Sequence, residues 1–374
     1  MAQRRIRLGM VGGGEGALIG PVHRIAARLD DRFELVAGAL ASTPERARES
    51  GRALGLPEDR IYPDFATMAR AEAERADGIE AVSIVTPNHL HLAPARAFMD
   101  RGIHVICDKP LAADAAEARA FASVARDATA RFFLTHNYSA YPMARRMREM
   151  IAEGAIGRLR VINMEYIQGW LAADDVDSKQ ARWRLDPAQA GAGGALGDIG
   201  THAYHLASYV TGLRAEALAA ELHAFGAGRR LDDNAHILFR FAEGVAGSAW
   251  ISQVAAGQEN GLRLRVVGSA GTLDFAQEEP NQLIWTRNDA PRQVLSRGWP
   301  GGSADTRVPA GHPEGYLEGF ATLYRDIAEA ISGDAAAAAR VPGLADGLEG
   351  MAFIAAAIAS HRADGRWTSL DDHR

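Results

Sequence analysis

One stretch near the start of the chain constrains the fold more than any other. Ile6 to Val11 is a short, mostly apolar run, and it ends at once in the glycine cluster Gly12, Gly13, Gly14 and Gly16. A helical pattern follows from Gly20 to Leu29. Strand, tight turn and helix start in that order bring backbone N–H groups and the positive end of a helix dipole to one point, where a phosphate can approach. Gly12 and Gly14 open a G-x-G pattern. The third glycine falls at Gly16 or Gly20, which makes the loop about three residues longer than the usual turn. An ordinary strand-to-helix loop is the plain alternative, and position decides against it: the turn stands at the head of a regular β/α alternation.

That alternation fills roughly the first third of the chain. Runs at Phe33–Leu40, Ala81–Thr86, His104–Cys107 and Phe132–Thr135 read as strands. Patterns over Pro44–Leu54, Asp64–Glu74, His89–Arg101 and Ala112–Ala130 read as helices, with Asp64 and Asn88 as candidate caps. Strands separated by helices predict a parallel sheet covered on both faces, with ligands beyond the carboxyl ends of the strands. The second half changes character. Arg158–Gln168, the alternating Ile237, Phe239 and Phe241, Ala246–Gln253, Leu262–Val267, Thr272–Phe275 and Gln282–Trp285 are strands joined by short turns, which predicts a mostly antiparallel open sheet. Residues 286–315 form a long Gly-, Pro- and Arg-rich connection, and Tyr316–Ser332 and Leu344–Ser360 read as helices. The expected division is therefore 1–136, an α/β domain of Rossmann type, and 137–374, an α+β domain for substrate binding and oligomerisation.

Charge and composition narrow the partners. The net charge is −6, which supports neither nucleic acid nor an anionic membrane. No apolar run approaches the roughly 18 residues a membrane span needs. The lone cysteine, Cys107, allows no internal disulfide and suits a reducing, cytoplasmic setting. Of 41 basic residues only Lys109 and Lys179 are lysines. A chain that uses arginine almost everywhere else keeps a lysine where a compact amine is useful. Lys109 follows Asp108 at the end of the fourth strand, and Pro110 restricts its backbone. Lys179 lies in a polar stretch and shows that one lysine can survive by chance.

A second cluster follows the glycine run of residues 191–197. Asp198, His202 and His205 fall at helical spacing, so a carboxylate and an imidazole share one face. A carboxylate beside a histidine orients the ring and raises its proton affinity, which suits proton transfer near neutral pH. A capping Asp with an unrelated surface His is the bland alternative. A metal site of two histidines and one carboxylate, Asp198, His202 and His205, is a chemical one. No carboxylate ends the second strand; Ser42 and Thr43 stand there, with Arg46 close behind, so NAD and NADP both remain open.

Taken together, the glycine turn through His23, Thr86-Pro87-Asn88-x-x-His91, Asp108-Lys109-Pro110 and Gly193-Gly194-x-x-x-Asp198-x-Gly200-x-His202 resemble the Gfo/Idh/MocA oxidoreductases, in order and over nearly the whole chain. Asp108 departs from that family's usual glutamate. The long glycine loop and His312-Pro-Glu-Gly-Tyr316 resemble its inositol, levoglucosan and L-glucose dehydrogenase branch. The resemblance implies NAD as cofactor, with NADP not excluded. Gly12, Gly14 and Gly20 would lie at the pyrophosphate, Ser42 and Thr43 at the adenosine ribose, and Thr86, Asn88, His91, Asp108 and Lys109 at the nicotinamide half. It further implies that Lys109, Asp198 and His202 are catalytic, with His202 accepting a hydroxyl proton. Tyr138, Arg184, His205 and His312 would contact a polyol or sugar, with His312 in its own or a neighbouring subunit's site. No metal is implied. The expected activity is oxidation of a ring alcohol of a cyclitol or pyranose, of the scyllo-inositol or L-glucose type, by a homodimer or homotetramer. An NAD-retaining glycosidase of the same family and a non-enzymatic dinucleotide sensor are the alternatives.

Overall fold

The glycine turn leaves the carboxyl end of the first strand of a five-stranded parallel sheet. The computed structural model describes residues 4–126, 128–174, 178–303 and 305–374. In chain order the first part runs β1 (Ile6–Gly12), α1 (Ile19–Leu29), β2 (Phe33–Ala39), α2 (Pro44–Ala53), α3 (Phe65–Glu74), β3 (Ala81–Val85), α4 (Leu92–Met99), β4 (His104–Cys107), α5 (Ala115–Ala125) and β5 (Phe132–Leu134). The sheet order is β2-β1-β3-β4-β5, all parallel. This is the Rossmann arrangement, with the strand order reversing between β1 and β3, where such sheets open a crevice. β3 is buried at every position, as a central parallel strand must be. Asp64 caps α3 through Thr67 N, as its sequence position predicts. The predicted Asn88 cap is different: a 3-10 turn over Asn88–Leu90 intervenes, and His91 takes the cap position of α4 with no side-chain bond.

Next come α6 (Pro142–Ala152), β6 (Leu159–Ile167), α7 (Lys179–Arg184), α8 (Pro187–Ala190), a single π turn (Leu196–Gly200), α9 (Thr201–Thr211), β7 (Ala215–His223), β8 (Asn234–Phe241), β9 (Ala246–Ser252), β10 (Gly261–Gly268), β11 (Gly271–Ala276), β12 (Gln282–Arg287) and β13 (Gln293–Ser296). The side chain of Lys179 lies outside the described residues. The chain ends with α10 (Tyr316–Ile331), α11 (Ala335–Ala338), α12 (Leu344–Arg362) and β14 (Thr368–Ser369). The second sheet has nine strands in the order β13-β12-β11-β10-β6-β9-β8-β7-β14 and is antiparallel except at β6–β9. β8 shows why it forms. Ile237, Phe239 and Phe241 are buried while His236, Leu238 and Arg240 are exposed, the period-two pattern of a sheet covered on one face. Tyr204 on α9 and Phe353 on α12 stack with Phe239 beneath it.

The division is not one cut at residue 136. Residues 1–135 and 316–348 form one unit, and 136–315 with 349–374 the other. The amphipathic helix α10 returns to the first unit because its apolar face has partners there. Tyr324 meets Phe33 and Phe320 meets His23. The edge strand β5 gains a backbone bond from Leu134 N to Pro342 O, and an exposed edge is a liability that such pairing removes.

Candidate functional site

In the first unit the site residues gather at the carboxyl ends of β1, β3 and β4. Gly12 has φ +78°, and a Cβ there would lie 2.9 Å from Thr86 Cγ2 and 3.0 Å from Val85 O. A Cβ on Gly20, in the first turn of α1, would lie 2.4 Å from Gly13 O and 2.5 Å from Gly13 Cα. The helix start therefore sits directly on the glycine turn, a closeness only glycine permits. Leu18, at the cap of α1, makes no side-chain cap bond, so none of the first-turn N–H groups is taken by a side-chain cap. This cradle fits a pyrophosphate. The Gly14 N–H donates to Leu40 O, while Glu15 N bonds Ser50 Oγ, so this limb of the loop is stitched to β2 and α2. Ser42 and Thr43 are exposed beyond β2, and Thr43 Oγ1 accepts from Arg46 N as the cap of α2.

The turn after β3 and the segment after β4 are tied by one histidine. His91 is fully buried, with Nδ1 2.8 Å from Pro110 O and Nε2 2.9 Å from Thr86 O. Burial pushes its pKa down. The ring thus spans the two loops from inside instead of lining a ligand surface, and Thr86 Oγ1 likewise bonds Leu90 O. Asn88 is buried beside them. Asp108 N donates to Ile84 O, and its carboxylate accepts Thr135 Oγ1 at 2.5 Å. Burial alone would raise the Asp108 pKa. The His23 ring, the Lys109 ammonium and the Thr135 hydroxyl outweigh it and hold the carboxyl well below the usual range. Asp108 is therefore engaged inside the unit, and Lys109, half-buried, follows it through a cis peptide bond to Pro110.

In the second unit the π turn carries Asp198 into α9, and π turns recur at functional sites. Asp232 secures it: its two carboxylate oxygens accept Gly194 N and Leu196 N, each at 2.7 Å. Asp198 Oδ2 accepts Arg184 Nε and Gln253 Nε2, each at 2.9 Å. His202 is buried against aromatic rings, 4.9 Å from Tyr138, 5.3 Å from His136 and 6.2 Å from Tyr166 between centroids. His205 stacks flat on His136 at 4.1 Å. Tyr138 Oη lies 2.6 Å from Tyr166 Oη, which donates to Asn260 Oδ1. Burial keeps the Tyr138 phenol protonated by pushing its pKa up.

Tyr138, Arg184, Asp198, His202 and His205 thus belong to one neighbourhood of this unit. His136, Tyr166, Gln253 and Asn260 join it without having been singled out by sequence. His136 stands two residues past β5, where a polar residue following a strand end is the available signal. His312 is exposed in the connection after β13; its carbonyl accepts from Arg297, and among the described residues no contact brings its ring to the His202 cluster. Among the described residues no three His, Cys, Asp or Glu side chains are grouped to hold a metal. Of the three side chains of the metal alternative, Asp198 turns its Oδ2 to Arg184 and Gln253, and His205 stacks on His136. No described helix is long and apolar enough to cross a membrane.

Comparison with known proteins agrees with both units. Residues 6–136 match the model of an oxidoreductase family with an NAD-binding Rossmann fold, and residues 144–274 match the GFO/IDH/MocA C-terminal domain. An oxidoreductase from Sinorhizobium meliloti is 50% identical, with TM-score 0.90, over 98% of this chain and 100% of that one. An inositol dehydrogenase homolog from Azotobacter vinelandii, complexed with NADH and myo-inositol, is 37% identical with TM-score 0.92, covering 98% of each chain. Levoglucosan dehydrogenase of Pseudarthrobacter phenanthrenivorans is 30% identical over 310 residues, 75% of this chain and 76% of that one. With the glycine cradle, the Asp-Lys-Pro segment and the Asp198–His202 helix start all in place, the chain belongs to the Gfo/Idh/MocA family of NAD-binding oxidoreductases.

Proposed function

We propose that this enzyme oxidises a ring secondary alcohol of a cyclitol or pyranose sugar, of the scyllo-inositol or L-glucose type, to the ketone or lactone. The observation that carries the reading is the His202 neighbourhood: a buried imidazole among tyrosine and histidine rings, with hydroxyl, amide and guanidinium groups around it. Apolar ring faces and directed polar groups suit a polyol ring, which has both. The neighbours with myo-inositol and levoglucosan in their names support the same substrate class.

NAD supplies the hydride acceptor when bound. Gly12 and Gly20 shape its pyrophosphate cradle, and the Thr86 and Asp108–Lys109 segments shape the next stretch. Lys109 donates a hydrogen bond to the reacting hydroxyl oxygen and stabilises negative charge there. His202 takes the hydroxyl proton on its imidazole. Asp198, fixed by Arg184 and Gln253, provides the negative charge that favours the protonated ring. Arg184 and Tyr138 orient the remaining hydroxyls. A second copy of the chain covers the open face of the nine-stranded sheet, where Leu238 and Val294 are exposed.

The test is reduction of NAD, followed at the NADH absorbance band, against inositols, hexoses and anhydrosugars at mildly alkaline pH. Turnover with a ring polyol, abolished in Lys109→Ala and His202→Ala while NADH still binds, is the expected result. Silence across the panel with NADH binding intact overturns the assignment and favours the retained-cofactor glycosidase or the dinucleotide sensor.

A further inference from the structure

A chain of hydrogen bonds runs through the second unit and ends on Tyr138. It starts just past β6 at Trp170, whose Nε1 is 3.0 Å from Gln168 Oε1. Gln168 Nε2 is 2.7 Å from Oδ1 of Asn260, the residue before β10. The same oxygen accepts Tyr166 Oη at 3.0 Å. Tyr166 Oη in turn lies 2.6 Å from Tyr138 Oη. A branch leaves the other side of Asn260: its Nδ2 is 2.9 Å from Gln277 Oε1, and Gln277 Nε2 is 3.3 Å from Tyr141 Oη. The Arg184 guanidinium lies 6.0 Å from the centre of the Trp170 ring, so the chain begins beside one site residue and ends on another.

The direction of the chain follows from its first member. An indole N–H only donates. Gln168 therefore turns its oxygen to Trp170 and its NH2 to Asn260, because the opposite orientation sets two donors against each other. Asn260 must then present its oxygen to Gln168. An amide oxygen has a second lone pair, and here it takes the Tyr166 O–H. The Gln277 branch fits the same order, since Asn260 has only its NH2 left to offer there. A phenol carries one proton. With that of Tyr166 committed to Asn260, the contact between the two phenols holds only if Tyr138 donates. Both phenols are buried, where a mismatched pair is costly. Burial also raises the Tyr138 pKa, so its proton is there to give. Once it is given, any further partner of the Tyr138 oxygen must bring a proton of its own.

We infer that Tyr138 is a specificity-determining residue that can only accept: it recognises a ligand O–H by accepting a hydrogen bond from it, and Gln168 and Asn260 are positioning residues that hold it in that state. The inference rests on the polyol reading of the His202 neighbourhood, in which the Tyr138 ring stands 4.9 Å from the His202 ring. A free hydroxyl satisfies Tyr138. An ether oxygen, a ketone or a fluorine at the same place does not, because each brings only lone pairs. A site built this way discriminates against a close isostere by leaving a buried polar group unmatched.

Neutron diffraction from crystals of the whole protein in D2O locates the phenol deuterons. That of Tyr138 should point at Tyr166 Oη, and that of Tyr166 at Asn260 Oδ1. Gln168→Glu should reverse both. A carboxylate accepts from Trp170 but has nothing to donate, so Asn260 turns its NH2 to it and to Tyr166, whose proton then goes to Tyr138. Ligand recognition is read by titration calorimetry on the NADH-loaded protein, with myo-inositol and its monodeoxyfluoro analogues as probes. At least one analogue should bind about 5- to 20-fold more weakly than myo-inositol in the parent. That deficit should shrink in Gln168→Glu and vanish in Tyr138→Phe. A Tyr166 deuteron aimed at Tyr138 in the parent, deuterons unmoved in Gln168→Glu, or the same discrimination in Tyr138→Phe as in the parent each overturns the proposal. If Gln168→Glu does not fold, the parent deuterons and Tyr138→Phe decide it. Absence of polyol binding with the deuterons in their expected places refutes the substrate class and leaves the direction of the chain standing, whereas reversed deuterons refute the proposal whether or not a polyol binds.

Discussion

Gly20→Ala gives the sharpest test of the cofactor cradle. The added methyl would sit 2.4 Å from Gly13 O, 2.5 Å from Gly13 Cα and 2.8 Å from Gly13 C. All three are backbone atoms, so no side chain can swing aside. Restoring ordinary contact needs the start of α1 to recede by about 1 Å, and overpacking of this kind costs about 1–3 kcal/mol. The same displacement lengthens charge-assisted hydrogen bonds from helix N–H groups to a phosphate, each contributing about 1.5–3 kcal/mol. Loss of one such bond weakens NADH binding by about 10- to 100-fold. Gly55→Ala is the control. Gly55 has φ +73° but nothing within 4 Å of its Cβ position. That variant should lose about 1 kcal/mol of stability from backbone strain and bind NADH as the parent does. Titration calorimetry with NADH, beside denaturant unfolding of both variants, separates the effects. Parent-like affinity in Gly20→Ala would refute the placement of the pyrophosphate on this turn.

Removing the Asp232 carboxylate strands the N–H groups of Gly194 and Leu196. Asp232→Ala should cost about 2–4 kcal/mol in denaturant unfolding, with Asp232→Asn milder because it keeps an acceptor; equal stability of all three proteins contradicts the reading. Arg184→Ala should raise the KM for the polyol about tenfold and leave NADH affinity unchanged; a selective loss of NADH binding would place Arg184 elsewhere. The folded-state pKa of Asp108 is depressed, so its stabilising contribution is present above the unfolded value near about 4 and lost as pH falls below it. Urea midpoints between about pH 6 and 3 should therefore fall more steeply in the parent than in Asp108→Asn; parallel curves would show that Asp108 contributes nothing.

How much was legible in the sequence varied with the range of the interaction. β1, β3, β4 and the cap of α3 are local patterns, and each stands where hydrophobic runs and capping residues place it. β7 is not legible in the sequence because Ala215–His223 is rich in alanine and carries only a weak alternating signal; pairing with β8 imposes the strand. β13 and β14 are too short to show a period. In the site, Lys109, Asp198 and His202 stood out by residue type and spacing. The partners of Asp198 did not, since Gln253 reaches it from the end of β9, 55 residues away. The bond from Gly14 N to Leu40 O is hidden for a related reason: a glycine pattern says where backbone comes close, not which acceptor each N–H finds.

The two crossings that send α10 back to the first unit also bear on synthesis. Tyr324, which holds His23, and Pro342, which pairs the edge of β5, are made only after residues 136–315. A chain emerging from the ribosome therefore carries an unfinished nucleotide-binding unit through the entire translation of the second sheet. Its β5 edge and the α1 surface wait for partners that close a loop of very high sequence separation. Folding of the first unit is thus gated by completion of nearly the whole polypeptide, and a stalled chain would expose an unpaired strand beside a half-built cofactor cradle.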